Sequence, residues 1–156
     1  NELDLSDENA VASADSTIIG INMMGIDGRY QKGALQLRGQ YIIADLSNTY
    51  QYNISTGKDL GSKMLGYYAE AGYNLLANKE TNNELIAFAR YENYNTHKEV
   101  EDNMTINPNY DRKDLIIGMG LKLSKGSMFK VDYQIKSNGN ADPRTDQINI
   151  GTAIWF

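Results

Sequence analysis

The 156 residues contain no cysteine, which excludes disulfides and thiolate metal sites and leaves the redox compartment open. Proline is scarce, with two residues. Basic residues do not exceed acidic ones, and the net charge of −5 gives no support to a long cationic face for nucleic acid. No run approaches 18 apolar residues, so a transmembrane helix is not expected. The opening NELDLSDENAVASADS is acidic and lacks the basic start and apolar middle of a secretory signal, so either a leader has been removed or the chain begins partway through a longer one. The mean hydropathy of −0.52 is that of an ordinary acidic soluble chain. Such averages do not reveal a membrane β-barrel, whose strands dilute their apolar signal with water-facing residues.

What is present is tyrosine, 11 residues, and a period of two. In SMFKVDYQIK, Phe129, Val131, Tyr133 and Ile135 share one face, and Lys130, Asp132, Gln134 and Lys136 the other. DLIIGMGLKLS sets Leu115, Ile117, Met119, Leu121 and Leu123 against Asp114, Gly118, Gly120 and Lys122. ALQLRGQYIIAD sets Leu35, Leu37, Tyr41 and Ile43 against Gln36, Arg38 and Gln40. In MLGYYAEAGYNLL, Tyr67, Ala69, Ala71 and Tyr73 oppose Tyr68, Glu70 and Gly72. In ELIAFARYENY, Arg90 and Glu92 share a face with Ile86 and Phe88. STIIGINMMGI alternates least well, with Ile19, Ile21 and Met23 placed outward and Asn22 inward. These segments predict about seven strands, near 15–27, 31–46, 64–76, 84–95, 112–124, 127–138 and 146–156, and no helix. Short connections at IDGRYQ, ANKETNN and SKGS alternate with long polar ones at 47–63 and 96–111 and an intermediate one, SNGNADPRTD. Short turns on one rim and long loops on the other match an outer-membrane barrel. A soluble sandwich also alternates, but its strands need only about five or six residues, whereas a tilted bilayer crossing takes about 9–11.

The fold expected is therefore all-β, an antiparallel transmembrane outer-membrane β-barrel over 15–156, preceded by an acidic extracellular loop segment at 1–14. The tail QINIGTAIWF places Ile148, Ile150 and Ile154 on one face and ends on Trp155 and Phe156. A closing strand with its aromatic residue at the periplasmic interface accounts for that ending, and the tail is similar to the C-terminal signal read by the barrel-assembly machinery. With Phe156 periplasmic, every long loop falls outside. Seven strands then leave the first strand beginning outside, whereas single-chain bacterial barrels have an even number. The chain is thus expected to be the C-terminal portion of a larger barrel; the alternative is an eighth strand within 1–14.

The order and spacing of GYYAEAGYNLL, LIAFARYENYNT, LIIGMGLKLSKGSMFKVDYQIK and QINIGTAIWF resemble the C-terminal half of the phosphate-selective porin O/P family, with ALQLRGQYIIADLS similar to an earlier strand. The resemblance covers roughly residues 31–156. It implies a water-filled barrel of about 16–18 strands, often a homotrimer, that passes anions or small solutes, phosphate among them, without a cofactor. The partners it implies are outer-membrane lipid and lipopolysaccharide, the barrel-assembly machinery and the remainder of the barrel, with no nucleic acid. A second reading, of another class, is a non-conducting barrel plugged by or docked to accessory outer-membrane proteins of a secretion or uptake complex.

The charged residues placed on the polar, lumen-lining face are Arg38, Glu70, Arg90, Glu92, Asp114, Lys122, Lys130, Asp132 and Lys136. Both signs are present, so they either pair across strands and stiffen the wall or set up a field that filters solutes. No catalytic or metal site is expected. His97, the one histidine, lies in the acidic stretch NTHKEVEDN without a strand-borne serine beside it and is expected to be solvated. The acids at Glu99, Glu101 and Asp102, and at Glu2, Asp4, Asp7 and Glu8, lack EF-hand spacing. The sequons at Asn53 and Asn103 read as chance in Asn-rich loops. Gly118, Gly120 and Gly151 face inward, where they clear lumen space or let strands bend.

Overall fold

Alternation of this kind builds a single sheet. A computed structural model describes residues 17–101, 103–123, 126–140 and 145–154. Seven antiparallel strands follow one another in sequence order: β1 (Gly20–Lys32), β2 (Leu35–Ser47), β3 (Lys63–Asn74), β4 (Glu84–Glu99), β5 (Asp111–Leu123), β6 (Ser127–Asn138) and β7 (Gln147–Ile154). The meander places the β1–β2, β3–β4 and β5–β6 junctions at one rim and the β2–β3, β4–β5 and β6–β7 junctions at the other. β1 and β7 are the two edges of the sheet. No helix among the described residues is long and apolar enough to cross a membrane. The expectations for 1–14 and for Trp155 and Phe156 lie outside the described residues.

Two expectations about the first hairpin are corrected. The turn lies at 33–34, not at IDGRYQ. Gly33 takes the left-handed conformation, φ +57, that favours glycine in tight hairpins. Gly28 and Arg29 stay extended and pair with Gly39 and Arg38. With the turn shifted, Asn22, Met24 and Ile26 align with Asp45, Ile43 and Tyr41, so the faces assigned to β1 are reversed. Ile21 and Met23 lie on the side of Gln40 and Ile42.

The connection 48–62 also departs from expectation, because it holds a helix, α1 (Thr49–Thr56). Its first turn has no local side-chain cap. Instead Glu101, from the next long loop, accepts hydrogen bonds from the Thr49 and Tyr50 amides at 3.1 and 2.9 Å. A carboxylate there satisfies orphan N–H groups and meets the positive end of the helix. Those amides, Tyr50 foremost and against the opposing effect of burial, hold the Glu101 carboxyl below its ordinary range. A lowered folded-state value stabilises α1 at pH above the unfolded value and loses that contribution as pH falls through the folded one. Glu101→Gln should therefore weaken the 48–62 loop by about 1 kcal/mol, the size of a lost N-cap. Hydrogen exchange of the 49–56 amides should rise at neutral pH in the variant, and in the parent only as the pH falls below the ordinary carboxylate range.

His97 is corrected as well. β4 continues to Glu99, and His97, near its end, is 1% exposed. Nε2 donates to the Asp59 carbonyl at 2.8 Å, and Nδ1 accepts from the Asn107 amide at 3.3 Å. The Tyr110 ring lies 4.6 Å away, centre to centre. The ring ties loop 48–62 to loop 100–110, and the Gly139 amide, donating to the Pro108 carbonyl at 3.1 Å, ties in the third. Asn53, in one sequon, is buried and exchanges hydrogen bonds with Leu60, so it is a structural residue.

Candidate functional site: the polar face and its apolar reverse

The pattern of exposure is inverted with respect to a soluble sheet. Ala44 is the one buried apolar residue among those described. The most enclosed groups are polar, including Asp114 at 2% and Asp132 at 7% exposure. The outward row is open: Ile117 is 51%, Tyr133 44% and Ile150 81% exposed. Burying apolar area is the main force that folds soluble domains, and this sheet leaves its apolar side uncovered.

The limit of the apolar surface is slanted. Towards the long-loop rim, the first polar side chains on that face are Asp45 on β2 and Lys63 on β3, which are register partners. On β4, β5 and β6 they are Asn93, Lys113 and Ser137, again in one register row. Beside β7 it is Asp146. Relative to the register the limit drops by about six residues from β2 to β7, roughly 20 Å at about 3.3 Å per residue. The drop accumulates over about five strand spacings, roughly 24 Å. A boundary lying in one plane thus meets strands inclined by about 40°, and bilayer-spanning barrels tilt by about 35–45°. The apolar stretch on β5, 115–123, projects onto the normal of that plane as roughly 23 Å, against an apolar band about 25 Å tall in such barrels.

The reverse face carries all nine predicted lumen charges, and the structure joins most of them into short networks. Glu70 is central. Nε of Arg90 donates to its Oε2 at 3.0 Å, Nη2 lies 3.0 Å from the same oxygen, and Nε of Arg38 lies 3.8 Å from its Oε1. Arg90 Nη1 reaches Glu92 at 3.7 Å, and its guanidinium lies over the Tyr68 ring at 4.3 Å. Lys130 meets Asp132 at 3.1 Å and stands over the Phe88 ring at 4.5 Å, while Asn149 donates to Asp132 at 2.7 Å. Gln134 donates to Asp114 at 2.7 Å, and Lys122 pairs with Glu84 at 2.7 Å. Lys136 donates to Gln147. Half-exposed pairs of this kind contribute about 0–1 kcal/mol each; what they fix is the position of each charge.

Two features of this face are missed by the sequence reading. Arg29, assigned there to a turn, lies on the polar face directly opposite Arg38. Gly118 does not clear lumen space, because the volume its side chain would fill is occupied. A Cβ there would lie 2.5 Å from both Asp132 Cβ and the Val131 carbonyl oxygen, and 2.7 Å from the Phe88 ring. At Gly120 only the flexible end of the Met128 side chain stands in the way, and a Cβ on Gly151 meets nothing within 4 Å.

Fold and faces together define a class: an all-β antiparallel sheet with an open apolar side and a charge-networked polar side. No protein-family model, curated protein or solved structure matches the chain.

Proposed function

We propose that these strands form part of the wall of an outer-membrane β-barrel that works as a porin, with the apolar side against lipid and the polar side against a water-filled lumen. The observation that carries this reading is the inverted exposure: isoleucines and tyrosines open, carboxylates enclosed. The slanted polar limit supports it quantitatively, through a tilt and a band height close to those of bilayer-spanning barrels. In hydrocarbon each unpaired backbone group costs several kcal/mol, so the free edges of β1 and β7 require strand partners, and a closed cylinder supplies them. The resemblance to the phosphate-selective porin O/P family points the same way. Phosphate preference itself draws little support from this wall, where most lysines and arginines already face a carboxylate.

Reconstitution into planar bilayers tests the proposal. A porin gives stepwise, ohmic conductance increments in KCl. A folded, inserted protein that remains electrically silent would contradict it and favour the accessory-barrel reading.

A further inference from the structure

We infer that Glu70 sets the ion preference of this wall by masking a row of arginines. The inference rests on the porin reading and adds a specificity-determining residue to it. Arg29, Arg38, Glu70 and Arg90 are successive register partners on β1 to β4, and all four lie on the polar face. The row thus holds three guanidinium groups and one carboxylate. Like charges directly opposite one another destabilise a strand pair, so the Arg29–Arg38 contact is a poor device for stiffening a wall. Arg29 is exposed and forms no ion pair with another described residue.

Glu70 stands between Arg38 and Arg90: it accepts a hydrogen bond from Arg90 Nε at 3.0 Å and lies 3.8 Å from Arg38 Nε, with its side chain 15% exposed against 45% and 29% for theirs. It anchors Arg90 along the wall, attracts Arg38 and cancels one unit of their charge. The nearest other carboxylate to Arg90 is Glu92 at 3.7 Å, in the next row on this face towards the long loops. Without the Glu70 charge, Arg38 and Arg90 gain freedom to turn into the lumen, and the row's net charge rises from two to three. Fixed rings of one sign determine which ions a pore favours. One added unit charge about 7 Å from a passing ion, even in water and partly screened, changes the local population of each ion sign by roughly twofold.

The test is the reversal potential of the reconstituted protein across a KCl gradient. Glu70→Gln, nearly the same in shape, should raise the anion-to-cation permeability ratio by about threefold or more over the parent. Glu70→Asp should stay near the parent, and Arg38→Gln should shift the ratio the other way. An unchanged reversal potential in a conducting Glu70→Gln channel would overturn the inference while leaving the porin reading intact. Should Glu70→Gln fail to insert, Arg38→Gln decides alone, since the inference requires it to move towards cations. A silent parent protein would overturn the porin reading and this inference with it.

Discussion

Replacing Ile117 by arginine should cost about 2–4 kcal/mol of folding free energy in a bilayer, the measured scale for a basic side chain on the lipid face near the midplane. Ile117 is central to the apolar surface, in one register row with Ala89 and Tyr133, and it is 51% exposed. In a soluble sheet, arginine at so open a position would change stability by no more than about 0.5 kcal/mol. The two environments therefore predict different outcomes for the same substitution. Gln134→Lys, on the polar face of β6, supplies the control and should be nearly neutral, because water and Asp114 are at hand there. Urea titration of the protein folded into lipid vesicles measures both.

Gly118→Val should be the second costly change, at about 1–3 kcal/mol, the range for overpacking a filled site. The obstruction includes the Val131 carbonyl oxygen, which belongs to the β6 backbone and does not swing aside as a side chain would. The Phe88 ring covers the same spot from β4, and its displacement would also unseat Lys130. Gly151→Ala, with open space around it, should leave the midpoint of unfolding unchanged. Equal effects at the two glycines would show that backbone flexibility, not packing, explains Gly118.

The parts of the fold that sequence discloses are those where a single strand reports its own environment. β5 and β6 alternate residue by residue from Leu115 to Leu123 and from Phe129 to Ile135, so their faces are legible without neighbours. β1 is not legible in this way, because Ile21, Met23, Met24 and Ile26 put apolar groups on both sides. Its register depends on the turn at Gly33, and Gly28 offers an equally glycine-like alternative. Arg29 joins the polar face only once that turn is placed.

Contacts between distant segments account for the rest. α1 has little amphipathic pattern of its own and depends on Glu101, 51 and 52 residues away along the chain from the amides it caps. His97 is enclosed by Asp59, Asn107 and Tyr110, which come from two different loops. The nine charged residues share one face of the sheet by register. Their partners, and above all the bridging position of Glu70, emerge only from cross-strand register.

The central claim is that one side of this sheet touches hydrocarbon and the other touches water. Single fluorophores placed in turn at Ile117, Tyr133 and Ile150, and then at Ile116, Gln134 and Asn149, test it directly in reconstituted vesicles. Nitroxides carried on lipid chains should quench the first set strongly and the second weakly, and a water-soluble quencher should do the reverse. Protection of the first set from both quenchers would place those residues in a dry protein interior and contradict the account.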